Sequence, residues 1–294
     1  MKIMIFGSEG QLGQCLRDQL INHDYKAMFC SRGTIDITEK LVTQSAILSY
    51  KPDIVINAAA YTDVDRSEVD FETAHAVNVS AVETIAECCK EIDAVLIHIS
   101  TDYVFDGKST KPYSEDSDVN PICVYGKTKL LGEYAIQNID CKHLIIRTSW
   151  LFSMYGKNFL TAMLALGSSK NIVKVVNDEF GCPTYAPDLA YCILYSLKII
   201  HRREFHSGIY HFTGQSICSW YDFSIQIFAQ AKILDYSIPN SVLPIKSDKY
   251  PTLAKRPCYS VLNNTKFEME FMGKCTDLDL AISEAIHFIK TENS

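Results

Sequence analysis

No Cys-x-x-Cys pair, no Lys/Arg-rich run and no uninterrupted apolar stretch long enough for a bilayer occurs in this chain. Each absence removes a class of protein. The eleven cysteines are odd in number and scattered, from Cys15 and Cys30 through the neighbours Cys88 and Cys89 and then Cys123 to Cys275. Such spacing indicates no metal site and suits reduced thiols, so a cytoplasmic protein is expected. The net charge of −7 argues against nucleic acid or an anionic membrane as partner, and any anionic ligand then needs a local positive site. The longest apolar run, Leu189 to Ile200, is interrupted by Lys198 and reads as a buried helix. A strand beginning at Lys2 leaves no room for a signal peptide. Internal repeats, coiled coils and low-complexity segments are also missing.

What is present is a regular alternation of strands and helices. With 294 residues, the chain exceeds a typical α/β domain of ~150 and suits one large domain carrying a smaller one. Short apolar runs at Lys2–Phe6, Ala27–Cys30, Asp53–Asn57, Ala94–Ser100 and His143–Thr148 alternate with helical patterns, including a long one from Phe71 to Glu91. This alternation predicts an α/β fold whose mainly parallel sheet is covered on both faces. After Trp150 the regularity weakens and prolines accumulate, which points to a smaller, loop-rich second part. Helices are expected there at Asp188–Ile200, Trp220–Ala231 and Leu278–Lys290, with a strand at Gly208–Phe212. The expected division is a dinucleotide-binding domain over 1–150 and a mainly substrate-binding portion over 151–294, the chain returning to the first domain around 185–205.

Three local patterns carry chemistry. Gly7-Ser8-Glu9-Gly10-Gln11-Leu12-Gly13 stands directly after the first strand, where a dinucleotide fingerprint must stand. Its glycines permit a tight turn, backbone approach to a pyrophosphate and close helix packing, while the helix N-terminus offers amide donors. A turn serving compactness alone is the alternative. The second strand ends at Cys30-Ser31-Arg32, where an NAD-selective site carries an acid. A hydroxyl and a guanidinium suit a 2′-phosphate instead, which leans the expectation toward NADPH over NADH, although Arg32 could also stack on adenine or stay solvated. After the third strand, the small side chains of Ala58, Ala59 and Ala60 before Tyr61 would let backbone lie against the nucleotide; consecutive alanines also serve as core filler.

The third pattern is Tyr125-Gly126-Lys127-Thr128-Lys129, with Tyr and Lys on one helical face. A phenol with a pKa near ~10 is a poor acid or base at neutral pH, and an adjacent ammonium draws it toward the working range. The spacing alone is common on exposed helices. Preceded by the Gly-rich turn and by His98-Ile99-Ser100-Thr101-Asp102-Tyr103-Val104-Phe105, it reads as proton chemistry beside a cofactor. Thr101 would aim a second donor at a ketone oxygen as charge builds there, or else only cap a turn.

In this order the motifs resemble the extended short-chain dehydrogenase/reductase superfamily and, within it, the dTDP-4-dehydrorhamnose reductase family over nearly the whole chain. The matching segments are Gly7 to Gly13, Asp36-Ile37-Thr38, Asn57 to Asp65, Ser100 to Phe105, Tyr125 to Lys129, Arg147 to Leu151, Gly181 to Thr184, Gly208 to His211 and Arg256-Pro257 with Ser260. The resemblance implies a Rossmann-type doubly wound parallel sheet with a smaller C-terminal substrate-binding domain. It implies NADPH- or NADH-dependent reduction of the C4 keto group of dTDP-4-dehydro-L-rhamnose, a dTDP-linked keto sugar, in nucleotide-sugar synthesis for cell-surface polysaccharide. Tyr125 would protonate the C4 oxygen as hydride arrives. Lys129 would bind the nicotinamide ribose and hold the phenol pKa down, and Thr101 would bond the sugar carbonyl. Gly10, Gln11, Leu12, Asp36, Ile37, Ala60 and Tyr61 would contact the dinucleotide. Asp102 and Trp150 would line the sugar pocket, with Trp150 otherwise plain core packing. Thr184 and Arg256 would be further substrate contacts, Arg256 as the cation a nucleotide diphosphate needs.

In some members of the resembled family, acidic residues help bind magnesium at a dimer contact; Cys15 and Pro187 occupy those positions here, so a homodimer would lack a metal bridge. A dehydratase or epimerase on the same scaffold is a rival reading. Dehydratases place a carboxylate pair after the Thr, whereas Tyr103 follows Asp102 here and favours a net reductase. A reductase making the 6-deoxytalose epimer would share these residues. A non-catalytic nucleotide-binding regulatory subunit, like the regulatory protein of methionine adenosyltransferase, is the alternative of another class, against which Thr101, Tyr125 and Lys129 together argue.

Overall fold

Alternate residues of the first strand, β1 (Lys2–Phe6), enter two different cores, Ile3 and Ile5 on one side and Met4 and Phe6 on the other. Burial on both faces is the condition of a central parallel strand. In the computed structural model, which describes residues 1–292 apart from 22, 203, 204, 272 and 274, β1 lies between β2 (Lys26–Cys30) and β3 (Ile54–Asn57). The sheet continues through β4 (Val95–Thr101) and β5 (His143–Thr148) to the strand Gly208–His211, every neighbouring pair parallel. The spatial order is β2, β1, β3, β4, β5 and Gly208–His211. The chain therefore winds outward in opposite directions from the β1–β3 junction, and a crevice opens there at the carboxyl ends of the strands.

Helix α1 (Gln11–Leu20) turns Leu12, Leu16 and Leu20 onto one face of the sheet, where the helix Ala186–His201 packs beside it. Against the other face lie α2 (Lys40–Tyr50) and the helices Ala81–Glu91 and Val124–Ile139, through Ile47, Ile85 and Ile136. A further core joins the helices Phe159–Ser169, Trp220–Ile233 and Leu278–Glu292 to Val173 and Val175, and forms the layer above the crevice. No helix among the described residues is long and apolar enough to cross a membrane.

The expected strands are present, the doubly wound parallel sheet among them. One expected element differs. The run from Phe71 to Glu91 is not a uniform α-helix but Phe71–His75, a widened π turn over Ala76–Ser80, and Ala81–Glu91. Such single widened turns are rare and often sit at functional sites; this one carries the buried Asn78.

Between the helix Val124–Ile139 and the sheet lies a fully buried ion pair. Arg147 of β5 donates from NH2 to Glu133 at 2.7 Å and from Nε at 3.0 Å, the Ser100 hydroxyl donates to the same carboxylate, and the guanidinium lies 5.2 Å from the Phe105 ring centre. Replacing Glu133 alone by Ala should cost about 3–5 kcal/mol in urea unfolding, because Arg147 is left as a buried charge without its partner. The double variant Glu133→Leu/Arg147→Met should recover most of that loss; equal stability of the single and double variants would show that the pair does not act as a unit.

Candidate active site

The turn after β1 is built on backbone that only glycine supplies. Gly7 has φ +77°, and a Cβ there would stand 2.6 Å from the Ala59 nitrogen and 2.8 Å from the Ala58 oxygen. A Cβ on Gly13 would run into the Gly7 carbonyl, so Gly13 lets α1 start directly behind the turn. The N-cap of α1 is Gly10, with no side chain capping the helix, so its first amides remain donors open to a ligand. They face a cleft of about 740 Å³. Gly7, Gly10, Gln11 and Leu12 line one end of it, with Ser31, Arg32, Asp36 and Ile37 following β2 and Ala58, Ala59, Ala60 and Tyr61 following β3. Gly13 shapes the turn without reaching the cleft surface. Arg32 is exposed at the rim and pairs with Asp36 at 3.2 Å. The Thr38 amide and hydroxyl, together with Arg32, hold the Asp36 carboxyl below its usual range.

Asn78, which the sequence reading did not single out, ties this end to the other. Its Oδ1 accepts from the Tyr61 amide at 2.9 Å, and its Nδ2 donates to the Tyr61 carbonyl and the Thr128 hydroxyl, both at 3.1 Å. Thr128 in turn donates to the Tyr125 carbonyl at 2.9 Å. The loop bearing Tyr61 and the helix bearing Tyr125 are thus fastened to one buried amide. Its surroundings in the sequence, Ala76-Val77-Asn78-Val79-Ser80, give no sign of this role.

At the opposite end Thr101, Asp102, Tyr103, Tyr125 and Lys129 line the cleft together. Thr101 terminates β4 and its hydroxyl caps the following turn, accepting from the Tyr103 amide at 3.2 Å and donating to Asp102 Oδ1 at 3.1 Å, with the Tyr125 side chain also in reach. Tyr125 lies in the first turn of its helix, which approaches so closely that a Cβ on Gly126 would collide with the Tyr103 carbonyl. Burial pushes the Tyr125 phenol well above its usual pKa, and the Thr101 bond pulls the other way. Lys129 does not lower it in the way the motif suggested: its amine donates to the Ile99 carbonyl at 2.7 Å and meets His98 Nε2 at 3.2 Å. Burial brings Lys129 down to about 8, with Glu133 opposing.

The remaining substrate candidates divide. Trp150 lines the cleft in left-handed backbone (φ 46°), stacked face to face on Trp220 with ring centres 3.4 Å apart. Gly181 passes beneath it, where a Cβ would stand 2.6 Å from the indole. Thr184 is not among the cleft residues. Its hydroxyl accepts from the Gly214 amide at 3.2 Å while its own amide donates to the Trp150 carbonyl at 3.2 Å, so it secures the loop behind Trp150. Arg256 reaches the cleft already paired with Asp65 at 2.8 Å and near the Tyr103 hydroxyl at 3.4 Å. Trp220, Lys157 and Asn158 also line the cleft and were not foreseen, since only the packing of the upper layer brings them there. Among the described residues no cluster of three or more His, Cys, Asp or Glu is arranged to hold a metal, and Cys15, on α1, is buried in the core.

A Gly-rich turn and a Tyr–Lys pair facing one cleft of a doubly wound sheet define a nicotinamide-dinucleotide oxidoreductase. The family model described as "RmlD substrate binding domain" matches residues 1–290. The dTDP-4-dehydrorhamnose reductase of Aggregatibacter actinomycetemcomitans is 42% identical over 286 residues, 96% of this chain and 97% of that one; the Escherichia coli (strain K12) enzyme is 35% identical over 99% of each. A crystal structure of a dTDP-4-dehydrorhamnose reductase from Clostridium acetobutylicum superposes with TM-score 0.91 at 36% identity, covering 99% of this chain and 100% of that one. Another, from Bacillus anthracis in complex with NADP, superposes with TM-score 0.89 at 31% identity, covering 98% and 99%. The chain belongs to the dTDP-4-dehydrorhamnose reductase family.

Asp102 makes the cleft pH-sensitive. Burial raises its carboxyl from 3.8 to about 7, and its hydrogen bonds offset this only in part. As pH rises from 3.8 toward about 7, the unfolded chain gives up this proton before the folded one does, so the folded state is progressively disfavoured. Asp102→Asn removes the effect. Its melting temperature relative to wild type should climb across that interval and level off above it; a difference independent of pH would mean that the carboxyl ionises normally in the fold.

Proposed function

We propose that this protein reduces the C4 ketone of dTDP-4-dehydro-L-rhamnose to dTDP-L-rhamnose, in nucleotide-sugar synthesis for cell-surface polysaccharide. The observation that carries the reading is the meeting of Thr101, Tyr125 and Lys129 at one end of a cleft whose other end is the uncapped N-terminus of α1. A dinucleotide fits that length: the Gly7–Leu12 turn takes the pyrophosphate on backbone amides, and the alanines after β3 admit its close approach. When bound, the reduced nicotinamide supplies the hydride. Tyr125 gives its proton to the C4 oxygen, and the Thr101 hydroxyl donates to the same atom as negative charge develops. Lys129 holds the nicotinamide ribose. Asp102 and Trp150 position the sugar, and Arg256, released in part from Asp65, meets the diphosphate. Tyr103 stands where a dehydratase needs a second acid, which supports net reduction. Nine of the eleven cysteines are buried as thiols, which supports a cytoplasmic setting.

Purified protein mixed with dTDP-4-dehydro-L-rhamnose should consume NADPH or NADH, read at the nicotinamide absorbance band, and yield dTDP-L-rhamnose as the identified product. Silence with this and related keto sugars would overturn the assignment. Tyr125→Phe should lower turnover ~10²-fold or more while cofactor binding persists, because only proton transfer is lost. Arg32→Ala should weaken NADPH more than NADH; equal weakening would assign Arg32 to adenine rather than to a 2′-phosphate.

A further inference from the structure

Lys129 ends a run of hydrogen bonds in which each donor and acceptor is determined by the one before. The Ala59 amide donates to Asn57 Oδ1 at 3.1 Å, which orients the side-chain amide and turns its Nδ2 toward His98 Nδ1 at 3.2 Å. An amide nitrogen only donates, so Nδ1 must be the bare acceptor and the neutral ring carries its proton on Nε2. Nε2 lies 3.2 Å from Lys129 Nζ. An N–H aimed at an ammonium is donor against donor; aimed at a free amine it meets a lone pair. The second bond of Nζ, to the Ile99 carbonyl, suits either form. Protonating the ring is no escape, because His98 is wholly enclosed and its charged form is strongly disfavoured.

We propose that Asn57 and His98 act as positioning residues that hold the proton affinity of Lys129 below what burial alone gives in the cofactor-free enzyme, which favours the protonated form of Tyr125 there. The functional half of this inference rests on the reductase reading. An ammonium beside a phenol favours phenolate, the form needed to oxidise an alcohol; reduction starts from the phenol. Other charges near Lys129 do not reverse the arrangement. Glu133, on the same helix, favours the ammonium, but its carboxylate is engaged by Arg147 and Ser100. Asp102 and Tyr125, on the cleft side, are both biased by burial toward their neutral forms.

The tautomer of His98 is directly measurable. In cofactor-free protein labelled with ¹⁵N-histidine, long-range ¹H–¹⁵N correlation at neutral pH should show His98 as the Nε2–H tautomer. Its resonance should convert to Nδ1–H in Asn57→Asp, where a carboxylate oxygen can accept from Nδ1; this response also assigns the signal. Finding Nδ1–H or an imidazolium in the wild type overturns the proposal. In protein labelled with ¹³Cε-lysine, with Lys129 assigned by its loss in Lys129→Arg, His98→Gln can turn a carbonyl oxygen to the amine. It should raise the proton affinity of Lys129 about tenfold or more, while His98→Met, which offers no acceptor, leaves it low. No rise with Gln would mean that burial alone sets the charge, against the proposal. Should the Gln variant fail to fold, the wild-type tautomer decides. Neither measurement uses substrate, so an absence of turnover would leave both readable.

Discussion

The cleft depends on how one helix is held against the ends of two strands. Tyr125, Lys129 and Glu133 recur every four residues along one face of the helix Val124–Ile139, and each finds a partner on or just after β4 or β5. Lys129 donates to the Ile99 carbonyl, Glu133 receives Arg147 and Ser100, and Gly126 allows the first turn to touch the backbone of Tyr103. A polar stripe facing the interior would cost several kcal/mol if unpaired, so the helix has one docking position in which its groups are satisfied. That position sets Tyr125 beside Thr101 and within the cleft.

Around this helix the buried polar groups form links that cross elements. Asn57 on β3, His98 on β4 and Lys129 on the helix are joined in series, and Asn78 on the π turn joins Tyr61 to Thr128. The Gly7 end and the Tyr125 end of the cleft are therefore linked through buried hydrogen bonds. In the proposed reduction, such links would hold a hydride donor, a ketone and a phenol in register without reorganisation.

Much of the sheet was legible because a strand buried on both faces needs a continuous apolar run, and β1, β3 and β5 have one. The Gly7 turn was legible for a related reason: few arrangements place glycines immediately between a strand and a helix for any other purpose. Thr184 misled because its motif is spent on supporting Trp150 and not on reaching the cleft. Asn78 and Trp220 were invisible because one owes its place to a local widening of a helix and the other to the packing of a separate layer. Neither event leaves a spacing that can be read.

The amino-acid sequence by itself determined the class of fold, the place of the Gly-rich turn and the Tyr–Lys spacing, since strand periodicity, glycine geometry and helical repeat are all local properties of the chain. Only the tertiary structure decided the charge balance at the site. The proton preferences of Tyr125, Lys129 and Asp102 arise from burial and from partners such as Thr101, His98 and Glu133, two of them drawn from other elements. Desolvation exists only once those elements close over one another, so no spacing along the chain can encode it.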